Sequence, residues 1–213
     1  RMKRIILFSI GICVSISLLA QTASDYQADA KKGDAEAQFY LGICYRFGHG
    51  VTKNYREAAK WYQKSAKQGN AEAQFRLGLC YIHGDGITRN YNDAAKWFRK
   101  AAEQGHAGAQ CNLGYCYSNG FGVRKNYVEA FLLYKKAADQ GHAVAQMNLG
   151  DCYADGRGVR KNKEMALYWY EEAYKNKDEE DGLTPENVKK LEIRIKELKE
   201  GSNSSPNSNT KRY

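Results

Sequence analysis

The chain is poor in proline, with two in 213 residues against 20 glycines and 16 tyrosines. It also lacks compact catalytic signatures. There is no Ser/His/Asp arrangement, no phosphate-binding loop and no metal-ligand cluster, so no chemistry can be assigned from a motif. A disordered composition is excluded by 43% hydrophobic and 27% charged residues. The concentrated basic stripe of a nucleic-acid binder is missing as well. The formal charge is +9, and without residues 1–20, which carry three basic and no acidic side chains, it falls to +6. An exported protein of mild positive charge is not expected to bind nucleic acid.

Export is the expectation from the first residues, RMKRIILFSIGICVSISLLAQ. Arg1, Lys3 and Arg4 precede an uncharged apolar run from Ile5 to Ala20, and small residues follow. This is the layout of a secretory signal peptide over residues 1–20, too short and poorly flanked for a transmembrane helix. Cys13 is not placed as a lipoprotein cysteine, because Ile12 precedes it where a small residue is needed.

What the chain does contain is periodicity. LGICY, LGLCY, LGYCY and LGDCY start at residues 41, 77, 113 and 149, 36 residues apart. At the same shift Gln38, Gln74, Gln110 and Gln146 coincide, as do Tyr45, Tyr81, Tyr117 and Tyr153. Paired glycines recur at Gly48/Gly50, Gly84/Gly86, Gly120/Gly122 and Gly156/Gly158, followed by Asn54, Asn90, Asn126 and Asn162. Trp61, Trp97 and Trp169 share a column that Leu133 fills in the third copy.

Each copy reads as two helices. Ala37, Leu41, Cys44 and Tyr45 fall at i, i+4, i+7 and i+8, one face of a helix over about 35–47. The glycine pair ends it. Asn54 then caps a second helix, with Glu57 placed to close a capping box, and Ala58, Trp61, Tyr62 and Ser65 form its inner face. Gly42 costs about 1 kcal/mol in mid-helix relative to alanine, so its repetition predicts close approach of the paired helix. One hairpin cannot bury its apolar face alone, and stacking supplies the core. The expected order is a signal peptide at 1–20, an N-terminal capping half-helix at 25–33 and four repeats at 34–176. A C-terminal capping helix at 184–200 and a disordered Ser/Asn-rich tail at 201–213 complete it.

These residues resemble the Sel-one-like repeat (SLR), a relative of the tetratricopeptide repeat. The pattern A-x-A-Q-x-x-L-G-x-x-Y-x-x-G-x-G matches over about residues 25 to 176. The resemblance implies an all-α, right-handed α/α superhelix acting as an interaction scaffold, in a family often exported by bacteria and without shared catalytic residues. Lys163 and Glu172 depart from the pattern in the fourth copy, which predicts a different packing or cap there.

The ladder Cys44, Cys80, Cys116 and Cys152 is read as packing. Disulfides need Cα atoms within roughly 4.4–6.8 Å, whereas neighbouring helices pack about 8–10 Å apart. The second helices hold no cysteine, a departure from cysteine-rich SLR proteins that pair two per repeat. Zinc spacing is absent too. Cys111 reads as core filler, and His106 and His142 occupy an N-cap column. No cofactor or metal is expected.

Positions that differ between copies form a second stripe on the first helix, expected to line the concave wall. It runs through Tyr40, Ile43 and Phe47, then Arg76, Leu79 and His83, then Asn112, Tyr115 and Asn119, then Asn148, Asp151 and Asp155. It passes from apolar-aromatic to acidic, and a protein or peptide partner is expected in this groove. The competing assignment packs Tyr40, Ile43 and Phe47 under the N-terminal cap. Lys53, Arg89, Arg124, Lys125, Arg160 and Lys161 form a basic ridge, read mainly as a solvated edge. The expected function is an exported, non-catalytic, monomeric adaptor, periplasmic or secreted, with possible envelope association. The alternatives are a binder or hydrolase of β-lactam or peptidoglycan-type ligands, and a structural spacer.

Overall fold

A computed structural model describes residues 22–178 and 182–203, with side chains to residue 200. The expected signal peptide, and the tail beyond residue 203, lie outside the described residues. Among those described there are ten α-helices and no strand. They are α1 (Ala23–Lys32), α2 (Ala35–Phe47), α3 (Tyr55–Lys67), α4 (Ala71–His83) and α5 (Tyr91–Glu103). Then come α6 (Ala107–Asn119), α7 (Tyr127–Ala138), α8 (Ala143–Asp155), α9 (Lys163–Lys175) and α10 (Pro185–Asn203). No described helix is long and apolar enough to cross a membrane.

The chain divides into two compact units, Arg1–Arg89 and Asn90–Tyr213. In the first, α1 packs on α2, α2 on α3 and α3 on α4. In the second, the helices from α5 to α10 pack each on the next. The boundary falls inside the second sequence repeat, between its two helices.

Local chemistry sets the helix ends. Asn54, Asn90 and Asn126 each accept from two backbone N–H groups of the helix they open, and Asn162 accepts from Met165 N. The reciprocal half of the expected box at Asn54 is absent, because Glu57 instead accepts from Lys60 Nζ at 2.6 Å. His106 and His142 do cap their helices, with Nδ1 accepting from Ala109 N at 3.1 Å and Ala145 N at 3.2 Å. The N-terminal helix starts at Ala23 rather than residue 25, because Thr22 N donates to Asp25 Oδ2 at 2.7 Å and makes a box there. The last helix runs to Asn203, three residues past the expected end, with no proline before Pro206 to stop it.

Gly42, Gly114 and Gly150 answer the mid-helix question. A Cβ on Gly42 would stand 2.6 Å from the Tyr62 ring. On Gly114 it would meet Tyr134 at 2.8 Å, and on Gly150 it would meet Tyr170 at 2.4 Å. The helices of a hairpin therefore touch ring-on-backbone, and the propensity cost is the condition for that contact. Gly86 has a different constraint. Its φ is +71°, and a Cβ would lie 2.1 Å from the Tyr55 carbonyl oxygen of the preceding repeat. Gly122 and Gly158 make the same approach to Tyr91 and Tyr127.

The glutamine column ties one repeat to the one before it. Gln38 Nε2 donates to Ala30 O at 3.0 Å and Gln74 Nε2 to Ala66 O at 3.1 Å, adding a second donor to helix C-terminal carbonyls that already accept from Gly33 N and Gly69 N. Gln110 and Gln146 do the same for Ala102 and Ala138. Gln68 and Gln140 donate in turn to Gln38 and Gln110. In the fourth repeat Asn176 takes that part, donating to Gln146 Oε1 at 3.0 Å.

All five described cysteines are buried free thiols. Burial pushes the Cys80, Cys116 and Cys152 thiols up to about 11. They act as small core groups beside Leu41, Leu77, Leu113 and Leu149. Burying each leucine is worth about 1.5–3 kcal/mol.

Candidate functional site

The variable stripe lies on the first helix of each repeat, which the glycine–ring contacts and glutamine bonds hold by its other faces. In the first unit Tyr40 is half-buried and stacks on Tyr26 of α1, with ring centroids 5.0 Å apart. Burial raises the Tyr40 hydroxyl, with Glu36 and Glu72 adding to it. Ile43 is half-buried. Phe47 is 58% exposed, and its ring stacks on His49 at 5.8 Å. The N-terminal cap thus covers Tyr40 and leaves Phe47 open. On α4, Arg76 Nε donates to Glu72 Oε1 at 2.7 Å, Leu79 is half-buried and His83 is exposed.

In the second unit Asn112 Nδ2 donates to Gly108 O at 2.8 Å, and Asn119 Nδ2 donates to Tyr115 O at 2.9 Å. Tyr115 is 50% exposed, its ring 5.8 Å from that of Phe121, which stacks in turn on Tyr91 at 5.0 Å. Asn148 Nδ2 points to Cys111 Sγ at 3.9 Å. Asp155 is exposed and pairs with Arg157.

Asp151 departs from the expected acidic end of a groove. Its Oδ1 accepts from Tyr170 Oη at 2.6 Å and pairs with Arg194 Nη1 of α10 at 2.7 Å. Burial raises its carboxyl, while the Tyr170 bond and the Arg194 charge pull it down. The C-terminal helix therefore uses this residue as an anchor. Of the expected apolar-to-acidic stripe, Tyr40 and Asp151 have intramolecular partners, whereas Phe47 and Asp155 are exposed.

Sequence reasoning missed the residue between the paired glycines. His49, Asp85, Phe121 and Arg157 differ in chemistry, yet each donates its backbone N–H to the carbonyl of the ladder cysteine before it. That bond turns the side chain back over the end of the stripe. His49 lies on Phe47, Phe121 on Tyr115, and Arg157 on Asp155. Asp85 pairs with Arg46 Nη1 at 3.1 Å, and the Arg46 guanidinium lies 5.9 Å from the Phe47 ring and 5.8 Å from that of Tyr55. The signal was a variable residue framed by fixed glycines.

Two clusters result: Phe47 and His49 in the first unit, with Arg46 reaching from Phe47 to Tyr55, and Tyr91, Tyr115 and Phe121 in the second. Among the described residues no three His, Cys, Asp or Glu side chains converge as a metal site would require. The arrangement offers stacking and apolar contact, with hydrogen bonding at the edges.

Helical hairpins joined through glycine, ring and glutamine contacts define an α-solenoid repeat class. Within it, the Sel1 repeat model matches residues 35–70, 71–106, 107–142 and 143–178, and the chain belongs to that family. The family is one of protein-interaction scaffolds and is generally non-catalytic. Among solved structures, a Sel1 repeat protein from Oxalobacter formigenes is 35% identical with a TM-score of 0.70, covering 83% of this chain and 75% of that one. A protective antigen of uropathogenic Escherichia coli displaying an SLR fold is 31% identical with a TM-score of 0.71. That match covers 82% of this chain and 40% of that one. An immunity protein, PA5088, from Pseudomonas aeruginosa shares the fold at 17% identity and a TM-score of 0.51, over 91% of this chain and 84% of that one. No curated protein gives a match.

Proposed function

We propose that this Sel1 repeat chain is an exported, non-catalytic adaptor that holds a protein or peptide partner on the exposed part of the stripe. The supporting observation is the pair of open aromatics, Phe47 at 58% and Tyr115 at 50% exposure, at positions where the repeat's packing demands nothing. Large rings left half in water beside His49 and Phe121 have the makeup of interface hot spots. The partner buries Phe47 with His49 in the first unit and Tyr115 with Phe121 in the second. Arg76, Leu79 and His83 border the surface of the first unit, and Asn112 and Asn119 that of the second. Tyr40 and Asp151 act through the caps they hold.

Export rests on the apolar run after Arg4 and places the adaptor in the periplasm or outside the cell, as a monomer, with its partner in the envelope. The test is a crosslinked pull-down from the native envelope with the unmodified protein and a Phe47→Ser/Tyr115→Ser variant whose helicity is unchanged by circular dichroism. The expected result is a partner retained by the first and lost by the second. Equal retention by both would remove the stripe as the binding surface.

A further inference from the structure

The second unit carries two clefts that repeat one another. In the third repeat Arg99, Tyr117, Arg124, Lys125 and Glu129 line a cavity of 740 Å³. In the fourth, Tyr153, Arg160, Lys161, Lys163 and Glu164 line one of 490 Å³. Tyr117 and Tyr153 are the same repeat position, as are Arg124 and Arg160, and Lys125 and Lys161. Each cleft sets three cations against one carboxylate.

These cations are not neutralised, and two of them, Arg99 and Lys125, are positioned by a neighbouring ring. Arg99 Nη2 donates to Tyr117 Oη at 3.1 Å, which fixes its guanidinium on the cleft wall. Lys125 Nζ lies over the Tyr127 ring at 4.8 Å. Arg124, Arg160, Lys161 and Lys163 make no ion pair among the described residues. On the helices of the same unit, by contrast, Lys96 pairs with Asp93, Lys135 with Asp139 and Lys175 with Glu172. Unpaired positive charge in two concave sites of one construction is complementary to a ligand with spaced anions.

The geometry points to these two clefts as a docking track for an acidic peptide segment in extended conformation, separate from the aromatic stripe. Packed helices stand about 8–10 Å apart, so one repeat advances by between one and two such steps. An extended chain advances about 3.3–3.6 Å per residue, so carboxylates some three to five residues apart reach both clefts. A peptide also fits the one carboxylate in each cleft, Glu129 and Glu164, because its backbone N–H groups can donate there. A phosphodiester backbone has no such donor. A flat bilayer would meet the rims of the clefts and leave their walls unfilled. The track shares no residue with the stripe, so either surface can fail its test without the other.

The test is fluorescence anisotropy at low salt with a labelled peptide of about twelve residues bearing glutamate at every third position. Three proteins are compared: the unmodified chain, an Arg124→Gln/Lys125→Gln/Arg160→Gln/Lys161→Gln variant, and a Lys31→Gln/Lys67→Gln/Lys136→Gln/Lys189→Gln variant of equal net charge. Affinity is expected to fall about tenfold or more in the first variant and to change less than about threefold in the second. Doubles confined to one cleft should fall between them. Equal weakening in both variants would reduce the effect to net charge and overturn the track. So would absence of binding to the unmodified chain, or tighter binding to a single-stranded oligonucleotide of the same charge or to phosphatidylglycerol vesicles.

Discussion

The first and fourth repeats share one scaffold and differ in what meets a buried tyrosine hydroxyl. Gly42 faces the ring of Tyr62, and Gly150 faces the ring of Tyr170. Both rings are buried, and burial raises both hydroxyls. In the first repeat the stripe residue is Ile43, and Tyr62 Oη is buried with no hydrogen-bond partner. In the fourth the equivalent residue is Asp151, which accepts from Tyr170 and draws Arg194 onto the same oxygen. The ring is thus a requirement of packing, while its hydroxyl takes whatever the variable stripe offers. In the fourth repeat that stripe residue ties down the capping helix, beside an apolar seat that includes Met147, Tyr170 and Leu191.

The largest effects should come from the close glycine approaches within and between hairpins. Gly42→Ala gains up to about 1 kcal/mol of helix propensity but drives a methyl into Tyr62, for a net loss of about 1–3 kcal/mol in urea denaturation. Gly86→Ala should cost about 3 kcal/mol or more, since its methyl would meet backbone at 2.1 Å in a left-handed residue. An alanine tolerated at both sites would mean that the hairpin is not set by these approaches.

The hydroxyls should then separate the two repeats. Tyr170→Phe removes a bond to a charged acceptor and leaves Asp151 less satisfied, so a loss of about 1.5–3 kcal/mol is expected. Tyr62→Phe removes a hydroxyl with no partner and should change stability by less than about 0.5 kcal/mol or raise it. Equal losses by chemical denaturation would show that the two rings do the same work.

The smallest effect is in pH. Burial raises the Asp151 carboxyl against the pull of Tyr170 and Arg194, with Asp155 adding to the rise and Arg157 opposing it. The folded form therefore holds this proton to higher pH than the unfolded chain does. It binds more protons across the carboxylate range, so this residue's contribution to stability falls as pH rises through that range. Asp151→Asn should flatten that part of the stability–pH curve, and Ile43→Asn should leave it unchanged. A curve for Asp151→Asn parallel to that of the unmodified protein would assign the slope elsewhere.

Much of this was legible in the chain. Helix bounds at 35–47, the Asn and His caps, the buried thiols and the reason for Gly42 followed from a 36-residue period read against helical spacing. The box at Thr22 was also written there, as T-x-x-D, but Thr22 shares its column with Ala58, which lies inside a helix, so the period marks no cap there. The part played by His49, Asp85, Phe121 and Arg157 was not legible, since nothing in a glycine-framed residue says which way its side chain turns.

By itself the sequence determined the class of the molecule: four hairpins, their caps, their buried faces and the columns free to vary. Periodicity carries that information because each repeat buries the same positions. Only the tertiary structure decided which of the free positions stay free. Tyr40 and Asp151 are covered because the segments outside the repeats, α1 and α10, pack where a further hairpin would. The Arg194–Asp151 contact joins residues with no common period, and so leaves no trace in the repeat.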